Sequence, residues 1–308
     1  RVLDQDSQVQ VLMSSAVVGL TTTGVAKFQN LIRRVGPPIV VVEEAAEVLE
    51  AHIVTALTVS TKHIILIGDH EQLRPSTAVH RLAVKYKLDV SMFERLISNG
   101  LPVRTLSRQR RMRPQISELV GPIYPNLTNH PRVESYPSVL GLSHNVHFLD
   151  HQFPENGDAE SSGLSKTNPF EAAFIARLSA HLMLQGYNDK QVTILTAYSG
   201  QVKLIRQELR QLNLGNIYVT SVDNYQGQEC DIICLSLVRN NAKGVIGFLN
   251  TSNRICVALS RAKIGMFILG NAAMLSSRNE LWSKVLSILR ANNAVGPALA
   301  LQCQTHAH

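Results

Sequence analysis

Cysteine is scarce in this sequence. Its 308 residues contain 4, at Cys230, Cys234, Cys256 and Cys303, too few and too scattered for a disulfide scaffold, so reduced, intracellular thiols are the expectation. No apolar run is long enough to span a bilayer. The first residue is Arg1 rather than methionine, so the true start is expected upstream and a secretory signal is neither seen nor excluded. Internal repeats and low-complexity blocks are also missing. Charged residues are only 17% against 45% hydrophobic, with a mean hydropathy of +0.03, which excludes disorder for most of the chain and describes a soluble globular protein. The length suits one large or two ordinary domains, each able to bury a core.

Acidic residues are in deficit. Asp and Glu number 23 against 30 Lys and Arg, for a net charge of +7 and a pI near 9.4. No lysine-rich tail accounts for the excess, so the balance favours a polyanionic partner, nucleic acid before others; a solvated basic surface is the alternative. The one dense cluster is Arg108, Arg110, Arg111 and Arg113.

Short β-branched runs alternate with amphipathic stretches. Ile39 to Val42, His63 to Gly68, Gln191 to Ala197, Asp231 to Val238 and Gly265 to Gly270 read as buried strands of a parallel sheet. Glu171 to Gln185, Gly200 to Leu212 and Asn279 to Asn292 carry apolar residues at helical spacing. The pattern predicts an α/β fold with ligands at the carboxyl ends of the strands. Residues 1–102 and 103–293 are expected to be separate domains, with an irregular connection over 124–166, rich in Pro, Ser, Asn, His and Gly, and a linker over 294–308.

The chemistry sits in six ordered segments: VVVEEAAE, GDHEQLRP, RQRRMRP, TAYSGQ, VDNYQGQECDI and NRICVALSRAK. Glu43 and Glu44 close an apolar strand, where one acid holds a magnesium ion through water and the next orients or deprotonates an attacking water. Two acids after a strand are also ordinary surface residues. The following strand ends in Asp69-His70-Glu71-Gln72, and Gln72 offers a neutral amide to a γ-phosphate; the alternative is a helix-capping Asp69 with a solvent-facing Gln72. Arg111 and Arg261 suit the charge on a transferring phosphoryl group, a role worth about 10³ to 10⁵ in rate. Gln226, Gly227 and Glu229 lie on what reads as a tight turn between strands, with Gly227 permitting close approach and Glu229 able to accept from a ribose hydroxyl; a purely structural turn is the alternative.

Taken in order, these segments resemble superfamily 1 helicases, within them the up-frameshift-like group, and in wording such as VVEEAAEVLEAH and GFLNTSNRICVALSRAK its NFX-type zinc-finger-containing helicases. The likeness runs from about Val17 to Gly270. It implies tandem RecA-like P-loop NTPase domains with parallel sheets, the first incomplete, using ATP and Mg2+ and binding single-stranded RNA, with DNA as the alternative. By that resemblance Glu43 and Glu44 match the Walker B acids, Gln72 the motif III glutamine, Arg111 and Arg261 the phosphate-facing arginines, and Gln226, Gly227 and Glu229 motif V. Thr21, Thr22, Thr196, Tyr198, Thr220 and Ser221 fall where members touch the strand, and Tyr198 and Tyr225 are stacking candidates, with core or edge tyrosines the equal alternative. The same resemblance implies RNA surveillance or small-RNA silencing, association with RNA-silencing or RNA-directed RNA polymerase complex proteins, and a cytoplasmic or nuclear location.

The sequence departs from this pattern in three places. It contains no GxxxxGK[ST] loop, so this piece alone is expected to bind ATP poorly and hydrolyse little, the phosphate cradle lying upstream. Glu43 stands where Asp is usual, a longer arm to the metal's water shell. Arg110 stands where an aromatic ring often meets adenine; a guanidinium stacks too. Cys303, His306 and His308 offer a weak start to a zinc module, with zinc otherwise expected only beyond the C-terminal end. A non-enzymatic nucleic-acid-binding scaffold and a DNA-directed superfamily 1 helicase are the rival readings.

Overall fold

A computed structural model describes residues 5–156 and 165–302, and in it the chain divides into two units, Arg1–Arg104 and Thr105–His308. In the first unit, strands β1 (Ile39–Val42) and β2 (His63–Leu66) pair in parallel. Their β-branched residues suit the pleated surface. Past the strand ends the pairing continues as a closed loop: the Ile67 amide donates to the Val42 carbonyl at 2.9 Å, and the Ala45 amide donates to Ile67 at 2.8 Å. Ala45, Ala46 and Phe93 form a small core with Val42, Leu66 and Ile97 against it.

The second unit is larger. Two short strands, β3 (Arg108–Gln109) and β4 (Thr128–Asn129), pair with each other. The main sheet comprises β5 (Val146–Asp150), β6 (Val192–Thr196), β7 (Tyr218–Ser221), β8 (Cys230–Ser236), β9 (Ala262–Gly270) and β10 (Val295–Gly296), ordered β10-β5-β9-β8-β6-β7 and parallel throughout. Both faces are covered. Ile232, Cys234, Phe267 and Leu269 share a core with the helices Pro169–Leu184 and Ser199–Gln211. On the opposite side Leu235 meets Ile255 and Ala258 of helix Ser252–Leu259 and Trp282 of helix Glu280–Ala291. Trp282 is fully buried and its indole N–H donates to the Leu249 carbonyl at 3.0 Å, as a buried indole must.

The five strands read from the sequence are present, as are its three helices. Three readings need correction. The stretch 124–166 holds a core strand, β5, whose side chains from Val146 to Leu149 are buried. Residues 294–302 do not behave as a linker: β10 extends the sheet beside β5, the Ser143 amide donates to the Ala300 carbonyl and the Gln302 amide to that of Gly141, both at 3.1 Å. VDNYQGQECDI is not a tight turn between neighbouring strands. It leaves β7 at the carboxyl edge, where Ser221 lies beside Thr196, and enters β8 at the amino edge, where Cys230 pairs with Ala262, crossing the sheet through the 3₁₀ turn Val222–Tyr225. Among the described residues no helix is long and apolar enough to cross a membrane.

Candidate functional site

In the first unit the candidate residues follow the carboxyl ends of β1 and β2. Glu43 and Glu44 are exposed, and Glu44 adopts a left-handed backbone, φ 52°, which turns the chain sharply at the strand end. Gly68 lets the two strand ends approach, since a Cβ there would sit 2.9 Å from the Ala46 amide. Asp69 closes the second loop by accepting from the Glu71 amide at 3.1 Å and from the Gln72 side-chain amide at 2.9 Å. Gln72 is thus fixed by Asp69 and half-buried. Thr21 caps the helix Thr22–Lys27, its Oγ1 accepting from the Gly24 amide at 3.0 Å.

The second unit places its candidates at two opposite edges of the sheet. The amino edge gathers Arg111, Gln226, Gly227, Glu229 and Arg261, contrary to the expected carboxyl-end location. Glu229 and Asp231 flank Cys230, Lys263 follows Ala262, and Cys230 pairs with Ala262, so the two acids face Lys263. Glu229 takes a hydrogen bond from Arg111 Nε at 2.5 Å and an ion pair with Lys263 Nζ at 3.0 Å. Burial opposes its ionisation, but the Lys263 and Arg111 hydrogen bonds hold its carboxyl below the usual range. Arg111 also donates to the Ser260 carbonyl at 3.3 Å and keeps 33% of its side chain exposed. Gln226 carries a buried Oε1 with no hydrogen-bond partner in the structure, an acceptor that a donor from a ligand would satisfy. Gly227 has φ 73°, a conformation that favours glycine. Arg110 is exposed.

Arg261 departs from the expectation of a guanidinium presented to a phosphate. It is 1% exposed and donates to the carbonyls of Val257 at 3.2 Å and Gln228 at 3.3 Å and to Ser260 Oγ at 3.2 Å. In this conformation it is a positioning residue that ties the 226–229 segment to the start of β9.

Thr196, Tyr198, Thr220 and Ser221, read as strand contacts, lie at the carboxyl edge, and Tyr225 lies toward the amino edge beside Thr193 of β6; those that prove buried are corrected. Thr196 is fully buried. Tyr198 is 6% exposed, its hydroxyl accepting from Arg239 at 3.2 Å and donating to the Ile246 carbonyl at 3.5 Å. Tyr225 is 3% exposed and donates to Thr193 Oγ1 at 3.4 Å. Burial raises both phenols above their ordinary range, so they stay neutral; neither ring is free to stack on a base. Thr220 is buried and Ser221 half-buried. Sequence reasoning passed over Lys263, whose signal was the base-x-base spacing opposite acid-x-acid, and Phe153, an exposed ring in a stretch read as irregular. Cys303, His306 and His308 lie outside the described residues. Among those described, Cys230, Cys234 and Cys256 are buried thiols outside any disulfide, and no group of three or more His, Cys, Asp or Glu is placed to hold a metal.

Comparison with known proteins identifies the surroundings of these segments. Two family models, each described as an AAA domain, match residues 2–79 and 88–273. The chain is 49% identical over 299 residues to NFX1-type zinc finger-containing protein 1 of Mus musculus, covering 97% of this chain and 16% of that protein. It is 39% identical over 290 residues to the Helicase required for RNAi-mediated heterochromatin assembly 1 of Schizosaccharomyces pombe, covering 92% of this chain and 29% of that one. Regulator of nonsense transcripts 1 of Dictyostelium discoideum is 34% identical over 280 residues, with 84% of this chain and 20% of that protein covered. The chain therefore spans well under a third of these relatives' length. With both units matched and a parallel α/β sheet in each, the chain belongs to the AAA-domain family.

Proposed function

We propose that this chain is part of an ATP-dependent helicase motor that couples ATP hydrolysis to movement on single-stranded RNA, in RNA surveillance or small-RNA silencing. The observation that carries the reading is the amino edge of the second unit. There Arg111, Glu229 and Lys263 form a half-exposed charged cluster, Gln226 offers an unpartnered acceptor, and Arg261 fixes the segment that presents them. Residues from three distant parts of the sequence converge where a polyanionic ligand has two cations and an amide acceptor within one small surface.

In the longer protein, Glu43 would hold Mg2+ through water, consistent with an exposed carboxylate at the end of a parallel strand. The ion's contribution there is to neutralise charge on the phosphates. Glu44 orients the attacking water, Gln72, held by Asp69, meets the γ-phosphate region, and Arg111 counters the charge that develops on the transferring group. Arg110 and Glu229 take the base and ribose. Thr21, Thr22 and Ser221 meet the strand. RNA is preferred to DNA on the names of the fission-yeast and slime-mould relatives, one naming RNAi-mediated heterochromatin assembly and the other nonsense transcripts, and RNA-silencing partners belong to the same reading. The basic balance of +7 suits a strand of either kind.

A second reading has its own observation. No GxxxxGK[ST] loop occurs in these residues, which favours a strand-binding scaffold for this piece taken alone. Arg111→Ala in the longer protein separates the two: turnover falls by about 10³ or more with strand affinity kept if the motor reading is right, and unchanged turnover removes Arg111 from the site.

A further inference from the structure

We propose that Phe153 is a stacking platform for a nucleobase of a single strand crossing the carboxyl edge of the second unit, an inference that rests on the strand-binding part of the reading above. Phe153 lies three residues past Asp150, the last residue of β5. Its ring is 53% exposed, yet one face lies against Phe170, with centroids 4.0 Å apart and planes 18° from parallel. Phe170 is backed in turn by His151 at 4.8 Å and Phe174 at 6.1 Å.

The backbone beneath the ring is held from both sides. The Phe153 amide donates to His151 Nδ1 at 3.2 Å, and its carbonyl accepts from the side-chain amides of Asn168 at 3.0 Å and Asn240 at 2.9 Å. His151 is itself fixed by Glu171 at 3.0 Å, a buried carboxylate that also accepts from the Val238 amide. A half-exposed aromatic ring on an ordinary loop would be loosely placed. This one is set in advance, so a second ring joining the stack orders little that is not already ordered.

Charge on the same edge favours nucleic acid over an apolar protein partner. Among the described residues, two acids of the neighbouring loops are neutralised within the unit: Glu155 by Arg239 at 2.8 Å and Asp223 by Arg254 at 2.8 Å. Lys203 sits early in the helix that follows β6, and Arg278 ends the helix that follows β9. The edge thus offers phosphates a positive surface and a base a flat ring. The two tyrosines expected to stack are in the core, whereas Phe153 is half exposed, as is Phe248 beside Tyr198; of these two, Phe153 is the one stacked face to face on a second ring.

The test compares the whole chain with Phe153→Ala and Phe153→Trp, binding a short fluorescein-labelled oligouridylate and its abasic counterpart. Alanine is expected to weaken oligouridylate roughly 5- to 150-fold, the range of one lost base stack. Tryptophan should restore it, the abasic strand should bind both proteins alike, and the salt slope, which counts phosphates, should not change. Oligouridylate affinity unchanged by alanine, or an equal loss on the abasic strand, overturns the platform while leaving strand binding in place. A wild-type chain that binds neither strand removes the strand-binding reading and the platform together.

Discussion

Glu229 stands between Arg111 and Lys263 at the amino edge, and a carboxylate held by two cations competes with any anion that approaches them. Replacing it with glutamine should raise affinity for inorganic tripolyphosphate by about 2- to 5-fold, the scale of a partly exposed ion pair, measured by calorimetry; a weaker site would show that Glu229 organises the cations instead of masking them. Because its folded pKa is depressed, its stabilising contribution is present above the unfolded value near 4.5 and is lost as pH falls through the folded value. The sequence made the arginine legible and the lysine less so. Arg111 stood in a dense basic cluster, whereas the pairing of Glu229 and Asp231 with Lys263 depends on β8 and β9 being neighbours, which no local pattern states. Tyr198 and Tyr225 failed as stacking residues because residue type does not fix exposure; each ring is taken into the core and its hydroxyl satisfied there. Trp282 is the largest fully buried side chain, and Trp282→Ala should lower stability by about 3–5 kcal/mol in urea denaturation followed by circular dichroism.

At the scale of elements, the long β-branched runs of β6, β8 and β9 announced themselves, while β5, β7 and β10 did not. Five residues between His144 and His151, or two after a helix, carry too little periodicity to separate strand from loop, and their assignment rests on pairing partners far away in sequence. The 222–229 crossing was misread for a related reason: eight residues can close a turn or traverse a sheet, and only the strand order decides. β10 makes a testable case. It lies beside Phe148 of β5, one residue from His147, which is 5% exposed with neither ring nitrogen hydrogen-bonded. Burial, with the His144 ring 5.5 Å away, depresses the His147 pKa. A depressed histidine binds fewer protons folded than unfolded, so stability should be full above the unfolded value of 6.5 and decline as pH falls from there toward the folded value. His147→Leu should flatten that decline in thermal melts taken at a series of pH values; an unchanged slope would place the acid sensitivity elsewhere.

For the molecule as a whole, the two units differ in how far they bury their sheets. The main sheet of the second unit is covered on both faces, as parallel sheets are. The pair β1 and β2 leaves Ile39, Val41, Ile65 and Ile67 about half exposed, from 48% for Ile65 to 57% for Val41, an apolar row that further packing would stabilise at about 25 cal/mol per Å² covered. The family was legible because six segments occur in the right order, a constraint much stronger than any one motif. The location of the second unit's charges was not, because Glu43 and Glu44 follow the carboxyl end of β1 as expected while the crossing segment and the start of β9 bring Arg111, Glu229 and Lys263 to the amino edge. Under the proposed function, Glu43, Glu44 and these basic residues serve one strand-stimulated ATPase. The most direct measurement is ATP hydrolysis by the longer protein with and without single-stranded RNA, beside its Glu44→Gln variant. Hydrolysis should rise with RNA and be lost in the variant while ATP stays bound; a protein that binds RNA without stimulated hydrolysis, or a variant that turns over normally, would overturn the proposed function.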